Sequence, residues 1–204
     1  MEASRNLGNP LDTISAEHAA RRVSEHLEDM LFTDTTYSYG EMDARSRNSI
    51  YSYINFPDRN EVTLSEHWDA SGKTGEEIIT DVVKMKKASI AKNHPGPWML
   101  YIPTDYETVL DEDYNSTRGN TIRERIQQIS GISGIKVVDR LPDDNVLMVE
   151  MKSDTVRLID GIPLQNVQWG TEGNFVNKYK VLTIQVPQIR SDRSGQCGIV
   201  HLSA

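Results

Sequence analysis

The sequence has one cysteine, Cys197, and no apolar run approaching the roughly 18 to 20 residues that a membrane-spanning helix needs. A single cysteine excludes an internal disulfide and is typical of a reducing compartment. The first residues, Met1–Asn9, are polar and lack the apolar centre of a signal peptide. These absences predict a soluble, intracellular protein with no membrane partner.

Basic residues are also in short supply. Lysine and arginine number 22 against 30 aspartates and glutamates, which gives a formal net charge of −8. A field of that sign repels nucleic acid. The densest positive stretch, Lys84–Lys87, falls within a helix pattern and is typical of a solvated helix face. The composition therefore predicts a protein that repels nucleic acid rather than collecting it.

Two long segments place apolar residues at helical spacing. The first, Asp12–Leu31, follows an Asp12–Thr13 cap and predicts a long amphipathic helix. The second begins at Thr74, which with Glu77 forms a capping box, and it ends before His94. A helix of about 20 residues spans about 30 Å, which is the width of a small domain.

A continuous apolar run, Trp98–Ile102, comes next, behind a Gly-Pro pair. It predicts a buried strand with both faces covered, because it shows no alternation of apolar and polar residues. Thr104 with Glu107 predicts a second capping box and a short helix directly after this strand. Thr121 with Glu124 predicts a third capping box and a further helix.

The remaining apolar segments are short and predict β-strands bounded by turn residues. A turn at Pro57–Asn60 would join the first two of them as a hairpin or exposed arm, and a turn at Gly170–Gly173 precedes the last. Because helices and strands are mixed without a regular βαβ rhythm, the predicted fold class is α+β. The strand segments are Ile50–Ile54, Val62–Leu64, Ile135–Val138, Val146–Met151, Thr155–Ile159, Val167–Trp169 and the longer Phe175–Val186.

The segment Gly72–Thr74 stands directly before a helix, as the end of a phosphate-binding loop does. In such a loop Lys73 and Thr74 would meet phosphate charge and magnesium. The spacing puts His67 where the first glycine is required, followed by Trp68 and an aspartate, which would fill or repel the cradle. A plain helix cap is therefore favoured over nucleotide binding.

Three residues imitate the opening of a calcium loop, namely Asp111, Asp113 and Asn115. Such a loop needs oxygen ligands at alternate positions, a glycine sixth and a glutamate twelfth. Those two places hold Ser116 and Ile122. The sequence thus favours a solvated acidic turn over a metal site.

A nucleophilic role for Cys197, activated by His201, is conceivable, but the polar, glycine-containing segment around it is typical of a loop. The histidines show no ligand spacing, and the cysteine has no second cysteine for zinc. Ser133 lacks the glycine placement of a nucleophile elbow, and the carboxylates mostly occupy caps and turns. We therefore predict a protein that is not an enzyme, with no catalytic, cofactor-binding or metal-binding residues.

The order of the segments carries a family resemblance. It starts with the helix Ala19–Phe32, rich in Ala, Arg and Glu, and continues through Ile50–Pro57 and the helix Thr74–Asn93 to the Gly-Pro-aromatic strand at Gly96–Trp98. The later segments are Thr121–Ile129, Ile135–Val138, Val146–Val149, Val156–Ile159, Gly161–Leu164 and the long strand through Pro187. From about Leu11 to Arg190, the chain resembles the tailed-phage major capsid proteins and the encapsulins, the linocin-like shell proteins of the same fold.

The resemblance implies a Hong Kong 97-type phage capsid fold, with a peripheral lobe, an axial lobe and a long spine helix. Residues 1–97 and 170–204 would supply mainly the peripheral lobe and residues 98–169 mainly the axial lobe, as one intertwined unit. Family members usually carry an N-terminal arm and an extended loop ahead of the long helix. Only about ten residues precede it here, so we expect those parts to be absent or supplied by a separate chain.

By the same resemblance, the chain is expected to be a structural shell subunit, either a major capsid protein or a fragment of one. Many identical copies would close into an icosahedral capsid around a viral genome, without sequence-specific contacts to the contents and without a cofactor. The capsid would assemble in the host cytoplasm and the protein would reside in the virion. The alternative within the family is an encapsulin shell. The alternative of another class is a soluble enzyme, either a hydrolase using Cys197 or a nucleotide-binding protein using Lys73 and Thr74.

Overall fold

The structure is a computed structural model, and it describes residues 11–39, 48–115, 119–171 and 176–203. Predictions on Met1–Asn9, Ser116 and Phe175, and on part of the turn at Gly170–Gly173, lie outside these residues. Helices and strands are mixed along the chain, which confirms the α+β class. In order the elements are α1 (Leu11–Phe32), β1 (Tyr37–Tyr39), β2 (Asn48–Ile50), β3 (Asn60–Thr63), α2 (Gly75–Ala91), β4 (Trp98–Ile102), α3 (Asp105–Leu110), α4 (Ile122–Gln127), β5 (Ile132–Val137), β6 (Asn145–Glu150), β7 (Val156–Thr171), β8 (Val176–Ile189) and β9 (Ile199–Ser203).

One mixed sheet contains five strands in the order β3-β9-β6-β4-β5. Strand β9 pairs in parallel with β3 and antiparallel with β6. Strand β4 pairs antiparallel with β6 and in parallel with β5. Strands β1 and β2 form a separate antiparallel pair, and β7 pairs with β8. The strand that follows all the others in the chain, β9, therefore lies between two partners inside the sheet.

Hydrophobic clusters cover both faces of this sheet, because side chains alternate along its inner strands. In β6, Val146 and Met148 belong to one cluster, whereas Leu147 and Val149 belong to the other. The first cluster includes the apolar residues of α2, and the second includes Phe32 at the end of α1. Strand β4 buries one face fully in the first cluster, whereas on the other face Tyr101 is partly buried against the second, so the predicted coverage is confirmed for one face and only in part for the other.

The chain divides into two compact units. One unit comprises Leu158–Val186 together with the N-terminal segment up to Asp29, and the other comprises Met30–Arg157 together with the residues from Pro187 onward. The five-stranded sheet, α2, α3 and α4 all belong to the second unit. The assignment of residues to a peripheral and an axial lobe stays a prediction. In the described ranges, no helix combines the length and hydropathy that crossing a membrane requires.

The two long helices lie where the sequence places them. Helix α1 covers the predicted segment, but Asp12 and Thr13 lie inside it rather than capping it. Helix α2 begins with the predicted capping box. The N–H of Thr74 donates to Glu77 Oε2 at 2.8 Å, and the N–H of Glu77 donates to Thr74 Oγ1 at 3.4 Å. These two bonds satisfy backbone donors that a helix start leaves unpaired.

The capping box predicted at Thr104 is wrong, although α3 follows it. Thr104 itself has helical backbone angles, φ −60° and ψ −35°, and its side chain makes no capping hydrogen bond. Its hydroxyl instead donates to Asp139 Oδ1 at 3.0 Å. Thr121 does cap α4, because it accepts the N–H of Glu124 at 3.2 Å.

The predicted strand over Ile50–Ile54 is wrong, since β2 ends at Ile50 and the following residues turn. The Asn55 side chain stabilises this turn by accepting the N–H of Ser52 at 2.8 Å and donating to the carbonyl of Thr35 at 2.9 Å. The predicted hairpin is also wrong, because β2 pairs with β1 whereas β3 pairs with β9. Local side-chain bonding therefore outweighs the alternating pattern here.

Two further strand predictions need correction. The segments Thr155–Ile159 and Val167–Trp169 are not separate strands, because the continuous strand β7 spans nearly all of both and the residues between them. Pro163 interrupts the sequence pattern but is tolerated in a two-stranded pair, where each strand has an unpaired edge. Strand β9 lies in the segment interpreted as a loop near Cys197.

Candidate functional site

The two residues that suggest a phosphate-binding loop start and anchor helix α2. Lys73 Nζ lies 2.9 Å from Asp81 Oδ2, and the side chains of both residues are only 3% exposed. The other oxygen of Asp81 accepts from Lys84 Nζ at 3.0 Å. Thr74 is the helix cap. The ammonium of Lys73 is therefore bound to a carboxylate of its own chain, which does not favour a phosphate-binding role.

A cavity of about 580 Å³ opens beside this loop, between the start of α2 and the residues after α3. Trp68 forms one wall and stacks on Tyr106 with ring centroids 5.2 Å apart. The lining carries several carboxylates, which repel an anionic ligand such as a nucleotide. The acidic lining residues are Asp69, Glu76, Glu112 and Asp113.

The residues that imitate a calcium loop have other partners. Asp111 Oδ1 accepts from Arg123 Nε at 2.7 Å, and Asp113 forms a backbone bridge with Thr121. Within the described ranges, no three His, Cys, Asp or Glu side chains come together so as to hold a metal ion. The geometry accordingly favours a turn that joins α3 to α4.

Cys197 and His201 lie in the same part of the fold without forming a catalytic pair. The thiol is fully buried in the second hydrophobic cluster, and this burial raises its pKa to about 11. Both imidazole nitrogens of His201 have partners: Nε2 lies 2.6 Å from Asn145 Oδ1, and Nδ1 accepts from Arg59 Nε at 3.3 Å. The imidazole is thus committed to Asn145 and Arg59, so it is not available as the base of a thiol nucleophile.

Because of its raised pKa, the Cys197 thiol is expected to react slowly in the folded protein. At pH 7 a pKa of about 11 leaves roughly one thiol in ten thousand ionised, and the side chain has no solvent access. Alkylation by iodoacetamide should be roughly 100-fold slower in the native chain than in the same chain in concentrated urea. As the chain has one cysteine, the signal is unambiguous. Equal rates in the two states would contradict this prediction.

Acid is expected to destabilise the fold through His201. Burial, and next the positive charge of Arg59, lower the pKa of His201 from 6.5 to about 4. The unfolded chain therefore binds a proton between these values while the folded chain does not, so stability is lost as the pH falls through this window. Between pH 7 and pH 4 this loss amounts to about 3 kcal/mol.

Urea unfolding at pH 7, 5.5 and 4 measures this effect. The variant His201→Gln keeps a donor toward Asn145 but has no titrating group, so its unfolding free energy should fall much less over the same range. An identical pH dependence in the two proteins would assign the acid sensitivity to other groups.

A buried carboxylate, Glu150 at the end of β6, organises a cluster of polar groups. Its side chain is 2% exposed. Oxygen Oε1 accepts from the N–H of Gly96 at 3.0 Å and from Lys152 Nζ at 2.7 Å. Oxygen Oε2 accepts from Thr155 Oγ1 at 3.1 Å and lies 2.5 Å from His94 Nδ1. Through these bonds, Glu150 of β6 holds both the segment before β4 and the segment before β7.

The most exposed apolar surface lies on the β7–β8 hairpin. Seven of the eleven large apolar side chains that are exposed among the described residues belong to it, so exposed apolar surface is concentrated rather than scattered. Exposed large apolar side chains that are concentrated on one element in this way mark a candidate interaction site. The seven residues are Leu158, Ile159, Leu164, Val167, Trp169, Tyr179 and Ile184.

One face of the hairpin combines apolar and basic side chains. Arg157 contacts Gln188, the Thr183 hydroxyl donates to the carbonyl of Ile162 and Gly161 lies against Ile184, so the two strands run antiparallel. Side chains alternate between faces along a strand. The exposed apolar and lysine side chains that share the face of Ile184, here called the Ile184 face, are Ile159, Val167, Trp169, Lys178, Lys180 and Ile184.

Covering this face would release considerable free energy. Ile184 is 55% exposed and Trp169 42% exposed. Full burial of a large apolar side chain is worth about 1.5 to 3 kcal/mol, so covering the exposed half of each contributes about 1 kcal/mol. A partner that covers the Ile184 face is therefore favoured by several kcal/mol before the costs of association are counted.

The architecture is that of a Hong Kong 97-type phage capsid fold. The structure is similar to the capsid of Myoviridae phage XM1, with a TM-score of 0.73 at 8% identity over 100% of this chain and 68% of that one. It is also similar to a Mycobacterium phage Che8 chain, with a TM-score of 0.55 at 11% identity over 97% and 64%. A virus-like particle from Pyrococcus furiosus matches with a TM-score of 0.55 at 21% identity over 72% and 57%.

The chain belongs to a family of unknown function, DUF6260, which it matches over residues 16–202. No curated protein matches the sequence. The chain spans 57% to 68% of the length of the three chains described above. At identities of 8% to 21%, the likeness to these structures establishes the fold.

Proposed function

We propose that this chain is a structural subunit of an icosahedral shell, specifically the major capsid protein of a tailed phage or prophage, or a part of one. The observation that carries the proposal is the likeness to the phage XM1 capsid along the entire chain. The exposed apolar side chains of the hairpin support it. A shell subunit buries such a surface against its neighbours in the assembly, so the surface is exposed in the single chain. The role is structural rather than enzymatic.

Such a shell would be held together by many repeated contacts of modest size. Each contact closes under symmetry, so the assembly needs no single costly interface. The formal charge of −8 suits the wall of a container that must not adhere to its nucleic-acid contents. We propose that the protein meets many copies of itself and resides in the virion after assembly in the host cytoplasm.

The lobes and the additional parts belong to the same proposal. Residues 1–97 and 170–204 would form mainly the peripheral lobe, and residues 98–169 mainly the axial lobe. A separate chain would supply the N-terminal arm and extended loop of such shells.

An encapsulin shell is the second candidate. The likeness to the virus-like particle from Pyrococcus furiosus, at 21% identity, favours it. The two candidates differ in their contents, since a phage capsid encloses nucleic acid whereas an encapsulin encloses a protein cargo. Nuclease-treated particles that retain long DNA would support the capsid. Particles that contain a co-purified protein and no DNA would support the encapsulin.

The mass of the native particle tests the shell function itself. The protein purified from its source should form closed particles of megadalton mass, measured by light scattering and seen by negative-stain microscopy. A monomer or small oligomer at every concentration, even after an upstream arm and loop are joined to the chain, would contradict the proposal.

A further inference from the structure

We infer that the Ile184 face of the β7–β8 hairpin docks onto an acidic surface of a second copy of this chain, in a contact between two unlike surfaces. The inference rests on the proposed shell function for its biological setting. Its physical basis is the combination of exposed apolar side chains and charge on the hairpin.

The hairpin has a charge opposite to that of the rest of the chain. Residues 156–189 contain three basic and two acidic side chains, whereas the whole chain carries −8. Lys178 and Lys180 are both exposed and share a face with Ile184 and Trp169. Two such faces brought together would oppose lysine to lysine. A self-complementary contact between two hairpins is therefore disfavoured, and an acidic partner surface is favoured.

Another copy of the chain offers such an acidic surface where the loops at the end of the five-stranded sheet meet. Trp68 stacks on Tyr106, whose hydroxyl donates to Asp144 Oδ1 at 2.8 Å, so the adjacent exposed residues Asp69, Asp105 and Asp143 lie in the same region. Repulsion from Asp143 is the main reason why the pKa of Asp105 is raised, and Asp69 and Asp144 add to it. In the described part of the chain, no lysine or arginine forms an ion pair with Asp69, Asp105 or Asp143. Asp144 contacts His67 at 2.7 Å. A cationic surface would relieve this repulsion.

A contact between unlike surfaces has a consequence for assembly. Because each copy offers a hairpin to one neighbour and an acidic surface to another, the contact is heterologous, and heterologous contacts close into rings or continue. Apolar burial by Ile184 and Trp169 would supply affinity, while the two lysines select the acidic side of the neighbour.

Charge reversal tests the docking directly. One variant carries Lys178→Glu and Lys180→Glu, and a second carries Asp105→Lys and Asp143→Lys. Each variant alone should associate at least tenfold more weakly than the unaltered chain, measured by sedimentation velocity at physiological salt. An equimolar mixture should regain the association, because the reversed hairpin of one variant then fits the reversed surface of the other. If the mixture regains the association, the contact must join two copies of the chain, because each variant has only one of the two reversed surfaces.

Matched controls separate this contact from general charge effects and from misfolding. The variant Lys87→Glu with Lys92→Glu makes the same charge change at exposed positions of the α2 region and should associate normally. Ile184→Ser should weaken association, whereas Ile14→Ser, at a comparably exposed position of α1, should not. Every variant should melt within a few degrees of the unaltered chain, because all positions are at least partly exposed.

The outcomes distinguish this inference from the shell proposal. Megadalton particles that are indifferent to hairpin reversal would overturn the docking and leave the shell function intact. In a second outcome, the two charge-reversal variants associate when they are mixed, but the unaltered chain never forms closed particles. This result would support the docking and count against the shell function. A mixture that stays as weakly associated as its components would overturn the docking.

Discussion

Replacing Glu150 with alanine is expected to lower the free energy of unfolding by about 3 to 5 kcal/mol at pH 7. The carboxylate is buried, and its loss would leave the N–H of Gly96 and the hydroxyl of Thr155 without this acceptor. It would also remove the negative partner of Lys152 and His94. Breaking a buried charged network in this way is among the most destabilising single changes in a protein.

The pH dependence of this effect has a definite sign. Burial by itself would raise the pKa of Glu150, but hydrogen bonds from Lys152, His94 and Thr155 outweigh it and lower the pKa below its usual value. The stabilisation is therefore fully present above pH of about 4.3 and is lost as the pH falls through the folded pKa. Urea unfolding of the unaltered chain and of Glu150→Ala should differ strongly at pH 7, and the difference should become smaller as the pH falls below about 4.3.

Two controls sharpen the Glu150 experiment. Glu150→Gln keeps the shape of the side chain and tests the charge. Glu124→Ala removes an exposed glutamate that lies in the first turn of α4, and it should cost less than about 1 kcal/mol. If Glu150→Ala unfolds at the same urea concentration as the unaltered chain, the cluster contributes nothing to stability.

Trp98→Ala is the second large effect, with an expected loss of about 3 to 5 kcal/mol in the free energy of unfolding. The ring is 1% exposed and its Nε1–H donates to Ser89 Oγ at 2.9 Å. A side-chain carbon added at Gly131 would lie 2.6 Å from the ring, and one added at Gly96 would lie 2.8 Å from it. The ring therefore packs tightly against two glycine backbones, and its loss would leave a cavity between them.

Trp169→Ala provides a matched control for this variant. Both substitutions remove an indole, but Trp169 is 42% exposed on the hairpin, so its loss should cost the isolated chain less than about 1.5 kcal/mol. Thermal unfolding of the two variants at a concentration that prevents association makes the comparison. Equal melting temperatures would contradict the central role assigned to Trp98.

The sequence was sufficient to predict the elements whose signals are local. Helix α2 has a capping box at its start and apolar residues at helical spacing, and β4 has an unbroken apolar run. These signals need no knowledge of distant residues. The order of such segments was also sufficient to predict the capsid fold, which the structural likenesses confirm.

Other elements depend on partners that the sequence does not reveal. Strand β9 is short and has His201 at an inner position, so its local pattern resembles a loop. It becomes a strand because β3 and β6 hydrogen-bond it from both sides. The sequence pattern of strand β7 is interrupted at Gly161 and Pro163, yet the strand is continuous because it pairs with β8. Tertiary pairing overrides local propensity in both cases.

The candidate interaction surface was only half predictable. The apolar residues of the hairpin are plain in the sequence, but their pattern suggests buried strands. Only the structure shows that Leu158, Trp169 and Ile184 stay exposed. The Glu150 cluster gave no sequence signal, because its partners come from separate segments of the chain. For Cys197 the sequence suggested a function that the structure does not support, because the residue considered as a nucleophile is part of the hydrophobic core.

The position of β9 between β3 and β6 also bears on synthesis. A ribosome releases β9 after every other described element, so the five-stranded sheet stays open until the last of its strands has left the exit tunnel. Until then, the facing edges of β3 and β6 have no partner, and such edges invite pairing with other chains. This sheet can therefore be completed only once β9 has emerged, and nascent copies on one polysome need to be kept apart until then.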